Sequence, residues 1–571
     1  MVQQRLLPLL SALIAVLITA PAQAAPAPVP TPQLPPERPY PTVLDAPVEY
    51  EGMTTCDPTP RPGALALRQL LLDTYGSATI GISRACDQDT ISEHKEGRAV
   101  DWMVDFRNPE EKAQAQAFVD WVTAPGPDGT PAANARRLGI MYIGWANEMW
   151  RAYDTKRGWT ELRGCYNRPA AGDDTDCHRN HVHFSMTWDG AAARTSYWDG
   201  TPVVDTACPI ARVSGSARKL TASAAFVPIT AARVFDGRKK GDAGCYLQQR
   251  RWSGDDRSLP IQITGRKGVP KTGVQAVAVR VTAYASNAPG WITAAGSPGM
   301  NGPRVVSLGM SGTSAATAIV PVSDTGRIWL STVAGHARVA VDVLGYFARA
   351  SAAAATGRTG TWQPVPTKVA ATVQIPAGQT VPVALPDAPK TATGAALTLN
   401  AVGSSAGHIR VTAPGAKTRA DTVDVSSAEH SANVFARLSD GQVGLTNTSK
   451  APASVTVAIG GWITSPQADG GRLAPAGSDL GVVKTGKTQT LTGPASARAV
   501  VLAVTTKGAK KAGGVTVWGS GDRPGTRTVD VRTGRSNTDL VLVALGDDKV
   551  IHVAGDAPKG TASVRLVGVI K

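Results

Sequence analysis

The sequence predicts a mixed α and β domain followed by three all-β, sandwich-like modules, and three observations carry that prediction. Between about Tyr50 and Pro209, helical apolar spacing is interleaved with strand-like alternation, and just over half of the 13 tryptophans fall there. Beyond about Ala211 the texture changes to short β-branched runs punctuated by Gly, Pro, Ser and Asp, with almost no helical periodicity. Landmarks in that region then recur: Gly290-Trp291-Ile292, Gly407-His408-Ile409 and Gly514-Val515-Thr516; Asp324-Thr325-Gly326, Asp440-Gly441 and Asp547-Asp548; Gly345-Tyr346-Phe347, Gly461-Trp462-Ile463 and Gly568-Val569-Ile570. The spacing is 116 or 117 residues, then 107. A period that long marks whole domains, each able to own a core, and a chain of 571 residues is too long for one core.

Taken in order, residues 1–24 read as an export signal: Arg5 gives a basic start, Leu6 to Ala20 an apolar run, and Ala22 with Ala24 an Ala-x-Ala cleavage site. A membrane anchor is the competing reading. Pro8 and Pro21 break the run, which is shorter than the roughly 18 to 20 apolar residues of a spanning helix. No later segment is long and apolar enough to span, so the mature chain is expected to be secreted, with no stable membrane insertion. Residues 25–47, rich in proline and poor in apolar residues, predict an extended linker.

In the mixed domain, residues 48–209, Gly63 to Tyr75 has helical spacing and Ala78 to Arg84 alternates like a strand. Asn108 to Thr123 reads as an amphipathic helix with Pro109 near its first turn, and Ile140 to Asn147 and His181 to Thr187 read as strands. The β modules follow as residues 210–350, 351–466 and 467–571, with a flexible stretch around Ala350 to Gly360 between the first two.

Six cysteines, an even set with no Cys-x-x-Cys pair, predict disulfides in an oxidising compartment and argue against a thiolate zinc site. Six allow 15 pairings. Proximity along the chain favours Cys56 with Cys86, Cys165 with Cys177, and Cys208 with Cys245. The net charge of +15 points to an anionic partner. An export signal, dispersed charges and the absence of a basic stripe interleaved with aromatics exclude nucleic acid, so an anionic cell-wall polymer fits better; solubility alone is the plainer explanation.

Four of the eight histidines lie in two polar stretches, Ser92 to Asp101 and His178 to His183. Two imidazoles and a carboxylate are what a catalytic zinc needs when it keeps a fourth position open for water. His181 and His183 stand two apart in a run with β character, so both side chains are expected on one strand face. Gly97 lets the chain turn between His94 and Asp101. Asp101 is set among apolar residues, where an unpaired carboxylate is costly, so a cation is its natural partner, Arg98 being the alternative. The expected zinc ligands are therefore His94, Asp101 and His183.

Ser-x-His-x-x-Gly-x-Ala-x-Asp followed by His-x-His resembles the lysostaphin, D-Ala-D-Ala metallopeptidase and hedgehog superfamily, closest to its D,D-carboxypeptidases and endopeptidases. The resemblance covers about Cys56 to Asp199 and includes Gly81-Ile82-Ser83-Arg84 and the tryptophan-rich run from Tyr142 to Trp159. It implies an α+β zinc-peptidase domain with a small antiparallel sheet whose strands present Zn2+. His181 matches the unligated histidine that works on water or the oxyanion, His178 a further active-site histidine, and Arg84 a holder of substrate carboxylate or oxyanion. Trp145, Trp150 and Trp159 are placed as possible cleft walls or as core. Asn180 stands where an aspartate is expected, and Glu93 and Glu96 flank His94 without an assigned role.

The β modules resemble repeats appended to secreted wall hydrolases of high-G+C Gram-positive bacteria, with their histidines His336, His408, His430 and His552 at unmatched positions. Wall or carbohydrate binding is the implied role, with a plain spacer as the alternative. The expected function is thus a secreted zinc metallopeptidase, a peptidoglycan hydrolase of stem-peptide or cross-bridge bonds, held at the wall by its modules. The rival is a zinc-stabilised, non-catalytic wall-binding protein. Whether cleavage is endo or exo depends on how open the cleft is.

Overall fold

Helix α1 (Pro62–Tyr75) starts with a proline whose missing N–H costs nothing at a first turn, and it buries Leu67, Leu70 and Leu71. In this computed structural model the described residues are 32–571, apart from 37, 77–78, 89–90, 205–206, 209–213, 222–223, 239–243, 250–257, 300–301, 311, 350–359, 466–470 and 558. The predicted export signal and nearly all of the predicted flexible stretch lie outside the described residues.

Helix α2 (Pro109–Thr123) is capped as its sequence suggests, Asn108 Oδ1 accepting from the backbone N–H groups of Glu110 and Glu111. Its Ala115, Phe118, Val119 and Val122 repeat at helical spacing and are buried. A short helix α3 (Ala133–Leu138), which the sequence reading does not contain, lies next in the chain. The sheet beneath these helices is antiparallel throughout: β1 (Ile80–Gly81), β2 (Ala99–Trp102), β3 (Ile140–Trp145), β4 (Glu148–Arg151), β5 (Thr160–Glu161) and β6 (Val182–Met186), in the spatial order β1-β2-β6-β3-β4-β5. Leu67, Trp102, Phe118, Ile143 and Phe184 share one core. Each such side chain contributes roughly 1.5–3 kcal/mol by leaving water.

Three strands are shorter than expected, one of them, expected from Ile140 to Asn147, ending at Trp145. The predicted strand from Ala78 to Arg84 contracts to Ile80–Gly81, because the next residues turn away to hold the loop that carries His94: Ile82 offers its carbonyl to His94, and Arg84 N–H donates to His94 O at 3.3 Å. The strand expected from His181 begins at Val182. The predicted linker also changes character at its end. Asp45 is buried and accepts from Ser196 N–H and Val203 N–H, and Arg38 stacks over Tyr197, so these residues are fastened to the domain.

Beyond residue 224 strands dominate, in three pairs of antiparallel sheets with the same strand order in each pair. The first, second and third modules pair Val274–Tyr284, Ala392–Gly403 and Ala499–Lys507 with the equivalent neighbours, and the landmarks Gly290, Gly407 and Gly514 fall on corresponding strands. In the first module, valines and isoleucines from both sheets meet in one core, as in a sandwich. The second module departs from self-containment: its core includes Phe226 and Phe347 of the first module and Leu540 and Leu542 of the third. The disulfides are Cys56–Cys86, Cys165–Cys177 and Cys208–Cys245, the pairs favoured by proximity, and they are of the kind that persists in an oxidising compartment. No helix among the described residues is long and apolar enough to cross a membrane.

Candidate metal centre

Ser92 leads into a single 3-10 turn, Glu93–Glu96, which Gly97 ends at φ +66. A Cβ there would stand 2.0 Å from Thr59 O, so the close approach as well as the left-handed backbone demands glycine. The turn brings His94 against β2 and β6. From β2 comes Asp101, and from β6 comes His183, directly opposite it in the register. Cross-strand partners of this kind share a face at short range.

Three donor atoms then face one another. His94 Nε2 lies 3.0 Å from Asp101 Oδ2, His183 Nδ1 lies 2.8 Å from Asp101 Oδ1, and the two imidazole nitrogens are 3.3 Å apart. The outer nitrogens are committed elsewhere. His94 Nδ1 meets the carbonyl of Ile82 at 2.8 Å, which can only accept, so the proton sits on Nδ1 and Nε2 is bare. His183 Nε2 meets Ser185 Oγ at 2.9 Å, and with the proton there Nδ1 is bare as well. Two lone pairs and a carboxylate pointed inward cannot satisfy one another without a cation. Metal bonds of about 2.0 to 2.1 Å at tetrahedral angles would set such donors about 3.3 Å apart, so the residues fit Zn2+. Burial pushes the Asp101 carboxyl up, but its close contacts with the His183 and His94 imidazoles outweigh it and hold it far below the usual range.

The other expected residues take places around this triangle. His181 sits just before β6, with Nε2 3.6 Å from Asp101 Oδ1, outside the triangle. Its Nδ1 lies 2.8 Å from Asn180 Oδ1, while Asn180 Nδ2 donates to Thr175 Oγ1, so Nε2 is the bare nitrogen that faces the site. Burial lowers this imidazole to about 4, against the opposing pull of Asp101. His178 lies beside His181 with ring centroids 4.7 Å apart, and burial followed by the neighbouring His183 and His181 keeps it well below its ordinary value. His178, His181 and His183 also group closely enough to hold an ion, but that set lacks a carboxylate to balance charge. Arg84 stands at the rim, a third exposed, 3.9 Å from Asp101 Oδ2.

The loop bearing His178 is held from three sides. The two-residue turn Ala146-Asn147 between β3 and β4 has positive φ at both positions and donates its N–H groups to His178 O and Cys177 O. Arg179 reaches Asp174 Oδ1 at 2.6 Å, Asn147 Oδ1 at 3.0 Å and the carbonyls of Arg168 and Ala170, and the Cys165–Cys177 bridge closes the base. Gly144 leaves room for the His178 ring, which a Cβ would meet at 2.8 Å. Trp145 and Trp150 do not wall a cleft: both are buried in the core, and Trp159 packs partly buried against it. Sequence reasoning also left out Ser185, Tyr142 and Arg179, and the only local hint was Ser185, two residues after His183 and therefore on its strand face.

Comparison with known proteins adds one finding. The family model "VldE, C-terminal domain" matches residues 56–178, a span that contains His94, Asp101 and His178 and stops short of His181 and His183. No curated protein matches the chain. Two solved structures are similar at 9% identity: one described as the triple jelly roll fold and turret assembly of an archaeal virus, covering 63% of this chain and 98% of its own, and one as Sulfolobus Turreted Icosahedral Virus, covering 62% and 99%. Both have a TM-score of 0.14, a level that carries no structural argument.

Proposed function

We propose that the chain is a secreted zinc metallopeptidase that hydrolyses stem-peptide or cross-bridge bonds of peptidoglycan, with residues 48–209 as its α+β catalytic domain and the β modules holding it at the wall. One observation carries the reading: ring nitrogens of His94 and His183 and the carboxylate of Asp101 converge at 2.8–3.3 Å while His181 Nε2 faces them from outside the triangle. Bound Zn2+ would supply Lewis acidity toward a carbonyl and acidify water to a pKa of about 7. His94, Asp101 and His183 would hold it. His181, kept neutral by burial and oriented by Asn180, would take a proton at Nε2 and return it to the leaving amine. Arg84, charged and partly exposed at the rim, would hold a substrate carboxylate or an oxyanion. The sequence resemblance supports the same roles, and the basic net charge suits an anionic wall polymer.

The test is zinc content by elemental mass spectrometry together with mass spectrometry of fragments released from purified sacculi. Wild type should hold one zinc and release peptides. His183→Ala should lose both, whereas His181→Ala should keep zinc and lose about 10²–10⁴-fold in turnover. Zinc-loaded wild type that releases nothing from any wall substrate would leave the non-catalytic wall-binding protein as the better account.

A further inference from the structure

Glu93 and Glu96, the carboxylates flanking ligand His94, are both nearly inaccessible, at 4% and 0% exposure. A buried carboxylate is costly unless each oxygen finds donors. Glu96 spends itself on local architecture: Oε1 accepts from the N–H groups of Thr54 and Thr55, and Oε2 from Arg98 Nε at 2.8 Å. Glu93 reaches β3 and β6 instead. Its Oε2 accepts from Tyr142 Oη at 2.5 Å and from Ser185 Oγ at 3.4 Å, and Arg98 stands 3.8 Å from Oε1.

Ser185 connects this carboxylate to the metal centre. It lies on the same face of β6 as His183, and its Oγ is 2.9 Å from His183 Nε2. A serine hydroxyl has one proton; given to Glu93, it leaves the oxygen to accept from His183 Nε2–H. Tyr142 is Ser185's partner on β3, and its ring also stacks on the His183 ring at 5.6 Å and 22°. Three side chains from three separate segments thus act on the Nε2 side of His183 and on how its ring is turned, opposite Asp101 Oδ1, which stands 2.8 Å from Nδ1.

We propose that Glu93, acting through Ser185 and braced by Tyr142, is the positioning residue that fixes His183 as the Nε2–H tautomer and aims its Nδ1 lone pair at the zinc. The inference rests on the metal reading above and deepens it by assigning the groups behind one ligand. Glu93 touches neither metal nor substrate. A purely architectural role, neutralising Arg98, is the competing account, and it makes no demand on Ser185.

Nitrogen-15 NMR of the His183 ring in metal-free full-length protein, zinc affinity by competition with a chromophoric chelator, and thermal melting together decide it. Wild type should show the Nε2–H tautomer. Ser185→Ala should mix the tautomers and weaken zinc binding about 10- to 100-fold with little change in melting, and Glu93→Gln, which keeps shape but loses charge, should weaken it in the same direction. The inference is overturned by an Nδ1–H tautomer in wild type, or by Ser185→Ala binding zinc with wild-type affinity. If wild type binds no zinc, the proposed function fails; the metal-free spectra still decide the relay, since a wild-type Nε2–H signal that persists unchanged in Ser185→Ala overturns it and one that is lost sustains it.

Discussion

Asn180 donates through Nδ2 to Thr175 Oγ1, which leaves its carbonyl oxygen to accept from His181 Nδ1–H. A neutral acceptor in that place orients the imidazole without attracting a second proton, and burial keeps His181 low, at about 4. Asn180→Asp would put a negative charge on the same hydrogen bond and favour the imidazolium. The base form would then be reached only at higher pH. We expect the acidic limb of the pH–rate profile on sacculi to move up by about one unit or more, with zinc content unchanged. A limb that stays in place would mean that His181 is not the group whose deprotonation the profile reads.

At the scale of elements, His178 depends on a loop whose support comes from the β3–β4 turn, from Arg179 and from the Cys165–Cys177 bridge. Gly144→Ala would push a methyl against the His178 ring, at 2.8 Å in the present backbone, while leaving the turn itself intact. Because Gly144 also faces His183 across the β3–β6 register, the displaced ring has nowhere to go but outward. Turnover should fall at least about tenfold with the zinc stoichiometry of wild type, read by the same fragment assay, since a misplaced active-site group costs on the order of 10²-fold. Retained turnover would separate His178 from the chemistry.

Across the whole molecule, the N-terminal domain that carries β1 to β6 and the first β module meet through charge. Asp189, in the short helix that follows β6, accepts from Asn287 Nδ2 at 2.9 Å and pairs with His336 Nε2 at 3.1 Å, while Trp188 joins Ala288 and Ala334 in an apolar cluster. Glu51 lies partly buried beside this contact, and burial, then the nearby Asp189, raises its carboxyl from 4.5 to about 7. A folded-state pKa above the unfolded one means that its favourable contribution is complete below about pH 4.5 and is lost as pH climbs through about 7. Glu51→Gln should therefore be more stable than wild type at pH 8, by roughly 3 kcal/mol, and equal to it near pH 4. Denaturant melts at the two pH values check this; parallel curves for both proteins would refute it.

A second junction ties the β modules to one another. Asp539 of the third module is buried and accepts from Thr317 N–H of the first and from both Asn433 N–H and Nδ2 of the second. Asp539→Ala would strand these donors, each at about 1–3 kcal/mol, and should lower stability by more than about 3 kcal/mol while swelling the particle in X-ray scattering. A loss under about 1 kcal/mol would show that apolar contact alone joins the modules. The modules form a mutually packed block, which a set of beads on a string would not do.

The sequence by itself determined which side chains could bind a metal, because His94, Asp101, His181 and His183 announce themselves by residue type and short spacing, with Gly97 marking the turn between two of them. It showed the threefold repeat, and proximity along the chain favoured the disulfide pairs that form without excluding the other pairings of six cysteines. Only the tertiary structure decided what stands behind the ligands and between the domains. Glu93, Ser185 and Tyr142 are ordinary residues until the register of β3 against β6 brings them together, and Asp189 meets His336 across 147 positions. Trp145 and Trp150, equally suited by type to a cleft or a core, lie in the core. A residue's chemistry is carried by the residue; its partner is set by packing that no short stretch of sequence contains.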